Sequence, residues 1–133
     1  DEAILALLGR WLTKADRDML TATREMSFED PVTESVCFHC QQAVEKLLKA
    51  FLVAHQVHFP KTHRIAELVK LCAEEDAAFA TDLPQIDDLT DYAVEVRYPD
   101  AGDEPSVAEA EQAIEMAQEA RSFVLVRIGH NLP

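Results

Sequence analysis

Three features of the sequence predict an all-α fold, an antiparallel up-down bundle of four to five helices. Glycine occurs only at positions 9, 102 and 129. No Asn-Gly or Asp-Gly hairpin signal appears, and no long β-branched run alternates with polar residues. Between the prolines, at 31, 60, 84, 99, 105 and 133, apolar residues recur three and four apart. The 133 residues fit one domain, spanning 1–133.

The first predicted helix runs from about Glu2 to Arg24, with Ile4, Leu7, Leu8, Trp11, Ala15 and Leu20 on its apolar stripe. Asp30-Pro31 then supplies an N-cap and a first-turn proline. The second helix continues to about Gln56, burying Val36, Cys40, Val44, Leu47, Leu48 and Phe51. HFPKT interrupts it, and Thr62 is placed to cap a third helix with Ile65, Leu68, Val69 and Cys72 inward. AEEDAAFATD reads as the end of that helix and a connection. A fourth helix carries Ile86, Leu89, Ala93 and Val96. RYPDAGDEP must be a turn, because Pro99, Gly102 and Pro105 cannot continue a helix. Ser106 and Glu109 form a capping box for a fifth helix that should stop at Gly129. Val107, Ala110, Ile114, Ala117, Val124 and Ile128 face inward there, and alanines at 108, 110, 113, 117 and 120 permit close packing.

Composition narrows the function classes. Apolar residues make up 48% and charged residues 28%, an ordinary globular mix with no run long enough to cross a membrane. DEAILALLGRW lacks the basic start of a secretory signal, and Asp1 in place of methionine suggests a trimmed start. Three cysteines, an odd number, fit a reducing, cytoplasmic setting better than a disulfide framework. The net charge of −13 opposes indiscriminate binding to nucleic acid. The charge is uneven, however. Residues 73–133 hold 15 acids and three bases, whereas residues 36–70 hold two acids, five bases and four of the five histidines. That basic island is either a receiver for an anion or a chance fluctuation in a short window.

CFHCQQAVEKLLKAFL, residues 37–52, holds the densest set of chemically capable side chains. Cys37 and Cys40 share the apolar side of the helix. A structural zinc site needs four ligands and usually a second pair, and the chain adds only Cys72. A redox Cys-x-x-C belongs at a helix start in an α/β context. Core packing is therefore the expected role of both cysteines, with no metal and no cofactor. His39, Gln42, Lys46 and Lys49, spaced by three, four and three, form a polar line on the far side. It is either a solvated face or a binding surface.

FHCQQAVEKLLKAFLVAHQVHFPKTHRIAELV (38–69) resembles the signature of the HEPN domain family: an aromatic, QQAVEK, a lysine-bearing apolar helix, then K-T-H before a leucine-rich helix. YAVEVRYPD (92–100) is similar to the family's second signature, an R-Y-P closing the fourth helix, and ADRDML (15–20) to its first helix. The resemblance implies a four- to five-helix bundle that forms a homodimer. It also implies nucleotide binding and partnership with a minimal nucleotidyltransferase, commonly as a toxin–antitoxin pair. A large subset of the family are metal-independent endoribonucleases, with an arginine followed four to six residues later by histidine.

The chain departs from that ribonuclease pattern, because Arg97 is followed by Tyr98, Pro99, Asp100, Ala101, Gly102 and Asp103. Without the histidine, the general acid–base group for attack by a ribose 2′-hydroxyl is missing, unless His39 or His63 supplies it. Arg97 is expected either to pair with Glu45 or Glu95 or to hold a phosphate. Tyr98 either stacks on a base or caps the core. Lys61, Thr62 and His63 form a polar turn at a helix start, a place suited to anions. The expected nucleotide- or anion-binding set is thus His39, Gln42, Lys46, Lys49, Lys61, His63, Arg97 and Tyr98. The alternatives are an atypical endoribonuclease acting on RNA and a purely structural interaction module.

Overall fold

The computed structural model describes residues 1–83 and 104–131. Helix α1 spans Glu2–Met26, α2 Thr33–Ala54, α3 Ile65–Glu75, α4 Ala78–Thr81 and α5 Val107–Asn131. No strand occurs among the described residues. The chain is an all-α bundle. No helix among them is long and apolar enough to cross a membrane. The predicted fourth helix, over Ile86 to Val96, lies outside the described residues. The single turn α4 is an addition within AEEDAAFATD, which the sequence presents as a connection.

Helix α2 is the axis of the bundle. Fifteen of its 22 residues are buried, because its apolar positions surround most of its circumference. α1 packs along one side of it, α5 along another and α3 across its later half. The loop between α1 and α2 is short, so the two run antiparallel. The Thr33 hydroxyl donates to the Pro105 carbonyl at 2.6 Å, which sets the start of α5 beside the start of α2. At the far end Phe51 of α2 and Phe123 of α5 both pack on Phe79 of α4, with ring centroids 4.4 and 5.0 Å apart. α2 and α5 therefore run side by side in the same sense. Ala110, Ala113, Ala117 and Ala120 on α5 are all buried. Their small side chains allow that close approach, whereas Ala108 faces outward.

Several local expectations are corrected. α2 starts at Thr33 rather than at Pro31, with Val32 as N-cap. The Glu25 carboxylate of α1 accepts from the amide of this N-cap residue at 3.0 Å, which ties the start of α2 to the neighbouring helix, and no side chain caps the first turn itself. α3 starts at Ile65 and takes Arg64 as N-cap. Thr62 still serves this turn: its hydroxyl accepts from the Arg64 amide and donates to Glu67. The Ser106–Glu109 capping box forms as expected, at 3.2 and 3.0 Å. α5 runs through Gly129 to Asn131. Leu7, Leu20 and Val107, expected inward, are 38%, 45% and 49% exposed.

Candidate functional site

The chemistry gathers on α2 and on the turn into α3. Two acidic side chains organise it. Asp18 of α1 occupies the same helical stripe as Ala15, Met19 and Ala22, and it is only 9% exposed. It faces α2, where His39 Nδ1 lies 2.8 Å from one carboxylate oxygen and Lys46 Nζ 2.5 Å from the other. Glu45, one position from Lys46 but 2% exposed, faces the interior. Lys49 Nζ and His63 Nδ1 approach its Oε1 at 2.9 and 2.7 Å. Gln41 donates to its Oε2 at 3.3 Å. Each acid thus gathers one lysine and one histidine, so the buried negative charge is compensated, as burial requires.

The polar line predicted on α2 is accordingly split. His39 and Lys46 are half-buried on Asp18. Lys49 is 7% exposed, with its ammonium 5.4 Å from the Trp11 ring centroid as well as on Glu45. The expectation of Lys49 on an outward surface is therefore corrected: the helix phase carries it toward α1. Gln42 donates to the Gln41 Oε1 at 2.9 Å, and Gln41 Nε2 reaches the His63 carbonyl at 3.3 Å. These bonds hold the turn before α3 against α2.

That turn forms one wall of an open groove of about 790 Å³, lined by Phe38, Gln42, residues 60–64 and Glu67. Phe38 is 39% exposed although it lies on a largely buried helix. Lys61 and Arg64 are exposed cations. Lys61 has no ion pair among the described residues, and Arg64 lies 3.8 Å from Glu67. Glu67 is an acid in the first turn of α3, so part of the anion capacity of this helix start is met within the chain. The structure brings together Gln42, Lys61 and His63 of the expected set. It places His39 and Lys46 on the Asp18 side of α2. Arg97 and Tyr98 lie outside the described residues.

Sequence reasoning missed Asp18 and Gln41 as organising groups, treated Glu45 only as a possible partner of Arg97, and missed Phe38 and Arg64 as groove residues. A signal for the buried set existed. Asp18, Gln41 and Glu45 each sit in phase with buried apolar residues, and a polar group in an apolar stripe must be partnered.

Cys37, Cys40 and Cys72 are buried and unbridged, and no cluster of metal-ligating side chains occurs among the described residues. Burial, with smaller contributions from Cys37 and Asp18, pushes the Cys40 thiol from 9.0 up to about 12. Burial raises Cys72 as well. A thiol that resists ionisation is a poor nucleophile. The folded protein is expected to leave all three thiols unmodified by a disulfide reagent at pH 8, and unfolding in denaturant to release all three. The raised values also set a pH window. The stabilisation from neutral thiols is complete below about pH 9 and declines as pH rises toward 12, because the unfolded chain ionises first.

The model of the HEPN domain matches residues 8–127, nearly the whole chain. The chain belongs to the HEPN domain family. No curated protein and no solved structure matches it. The matched span of this HEPN domain takes in both acids, the groove, all of α2 and α3 and most of α1 and α5. The α2 segment QQAVEK contributes Gln41, Gln42, Glu45 and Lys46 to the polar network, and K-T-H supplies the groove wall. Of the residues that carry the resemblance, those of QQAVEK and K-T-H therefore tie α1, α2 and the α2–α3 turn together.

Proposed function

We propose that this HEPN domain is a nucleotide-binding or regulatory partner of a minimal nucleotidyltransferase in a toxin–antitoxin-like pair, working as a cytoplasmic homodimer. One observation carries the binding part: the groove sets an exposed aromatic ring, Phe38, with the cations Lys61 and Arg64 and the amide of Gln42. A ring offers a stacking face to a base, and cations with amide donors suit a phosphate. The wall is also preorganised, since His63 is fastened to Glu45 and Gln41. A preorganised wall reduces the ordering cost of binding. Arg97 and Tyr98, by the family resemblance, add a further cation and ring.

A panel of nucleotides in a thermal-shift assay tests this. A ligand at a hundredfold excess over Kd stabilises the folded state by about 2.7 kcal/mol. ATP or a related nucleotide is expected to raise Tm by several degrees in the wild type. The shift should vanish in the Lys61→Ala/Arg64→Ala pair, and a matching loss in Arg97→Ala would add that residue to the site. If no nucleotide moves the wild-type transition, the nucleotide reading is wrong.

A second reading rests on the Asp18–His39 contact. A carboxylate that fixes one imidazole nitrogen orients the other, which is how a general base is held. In that reading His39 replaces the missing motif histidine and Arg97 stabilises the phosphorane charge. It requires metal-independent RNA cleavage that disappears in both His39→Ala and Arg97→Ala.

A further inference from the structure

Resting on the nucleotide reading of the groove, we infer that this site selects bases with an exocyclic amine, at the 6-position of a purine or the 4-position of a pyrimidine, over their oxo counterparts. Gln42 is the residue that makes the choice. A free glutamine side chain discriminates poorly, because its amide can turn end for end and present either a donor or an acceptor. The amide of Gln42 is held one way round, and the cause lies in the buried network beneath it.

Gln41 is fully buried. Its Nε2 donates to Glu45 Oε2 and to the His63 carbonyl, each at 3.3 Å. A carbonyl only accepts, and Glu45, ion-paired with Lys49 at 2.9 Å, accepts too. Both amide protons of Gln41 are thereby used, and its Oε1 is an acceptor. The group facing that oxygen has to be a donor, and it is Gln42 Nε2 at 2.9 Å. Turning Gln42 over would set two amide oxygens against each other. It would also leave the buried Gln41 Oε1 without a donor, which costs more than the bond itself contributes. Gln42 Oε1 has no hydrogen-bond partner among the described residues, and the residue lines the groove.

Phe38 and Gln42 stand four residues apart on α2, so they are neighbours on one face of the helix. A base stacked on the Phe38 ring carries its edge past the Gln42 amide, while Lys61 and Arg64 on the wall formed by residues 60–64 take the phosphates. An exocyclic amine donates to Gln42 Oε1. The second proton of Nε2 then serves the ring nitrogen beside that amine, the bidentate pairing that glutamine makes with adenine. An exocyclic oxygen in the same place meets Oε1 lone pair to lone pair, and the locked amide cannot turn to serve it. A site built to bond one group rejects the analogue that lacks it far more strongly than an apolar pocket does.

Titration calorimetry at one fixed salt concentration tests this with two pairs of nucleotides, ATP against inosine triphosphate and CTP against UTP. Within each pair an oxygen replaces the amine. The wild type should bind the amino member of each pair about tenfold more tightly, the weight of one hydrogen bond gained against one acceptor left facing another. In Gln42→Met, which keeps the length of the side chain without its amide, the two members should bind within about twofold of each other. In Gln41→Leu the Gln42 amide remains but is free to turn, so the ratio should also fall toward one. A general weakening of the groove lowers both affinities together and leaves the ratio unchanged, which separates the lock from a merely structural role. Circular dichroism checks that each variant keeps its helices. Equal binding of ATP and inosine triphosphate by the wild type overturns the selectivity and leaves the nucleotide reading standing, whereas no binding of any of the four overturns both. A wild-type ratio that survives in Gln42→Met takes the choice away from Gln42, and one that survives in Gln41→Leu takes away the lock.

Discussion

Replacing Glu45 by alanine is expected to lower the unfolding free energy by about 3–5 kcal/mol, the cost of stripping one partner from a buried ion pair. Glu45 is 2% exposed and Lys49 is 7% exposed, so the orphaned ammonium has no short route to water. Its remaining neighbour is the face of Trp11, 5.4 Å away, which offsets only part of the lost attraction. Gln41 and His63 lose an acceptor in the same step. The companion measurement is the Glu45→Leu/Lys49→Met double variant, which removes both charges and fills the space with apolar groups. It should recover most of the loss, because the pair contributes little net free energy once its desolvation is counted. Urea denaturation gives both numbers. A loss below about 1 kcal/mol for Glu45→Ala, at unchanged m-value, would mean that Lys49 reaches solvent and that the pair is not a buried one. Asp18 makes a useful contrast. Its partners His39 and Lys46 keep side-chain exposures of 28% and 24%, so both can turn to water when it is removed.

The Glu45 result bears on the groove as well as on the core. Glu45 is the point to which His63 is fastened, and Gln41 binds both Glu45 and the His63 carbonyl. The wall that presents Lys61 and Arg64 is thus held by a buried carboxylate two helical turns from Phe38. A residue that looks purely structural therefore sets the shape of the candidate nucleotide site.

The parts of this arrangement differ in how far the sequence revealed them. The stripes of α2 and α5 were legible because their apolar and alanine positions repeat at the helical period, and burial follows that period directly. The Ser106–Glu109 box was legible because both partners are local. The start of α2 was not, because its N-cap is the apolar Val32, whose amide is held by Glu25, a side chain from another helix seven residues back. Leu20 and Val107 continue their stripes by spacing, yet they face outward where no neighbouring helix among the described residues covers them. The polar line on α2 is the instructive case. His39, Gln42, Lys46 and Lys49 do follow one another at the helical period, but α1 lies close enough to reach part of that face. Asp18 then draws in two of the four and Glu45 a third. Helical spacing gives an azimuth; what stands at that azimuth depends on tertiary packing. The groove was legible only as separate pieces, Gln42 on one element and Lys61 and His63 on another, since bringing them together requires the turn before α3 to fold back on α2.

Phe51→Ala is expected to destabilise the bundle by about 3–5 kcal/mol, the usual cost of emptying a buried phenyl site. Phe51 is fully buried, with its ring centroid 4.2 Å from that of His55 and 4.4 Å from that of Phe79. Phe79 in turn meets Phe123 edge-on at 5.0 Å. The three rings therefore join α2, α4 and α5, and α4 is a single turn with Phe79 as its only buried residue. Loss of the Phe51 ring removes the main surface against which that turn packs. Two readouts separate the contributions. Equilibrium unfolding in urea should show the full loss in the midpoint, and the corresponding fall in Tm should exceed about 6 °C. Amide exchange should show that protection falls first in residues 78–81, well before α1, because α4 has no other buried anchor. A uniform loss of protection across all helices would instead make the aromatic cluster an inseparable part of the core around α2. In that case the connection after α3 would be held by the bundle as a whole and not by Phe79.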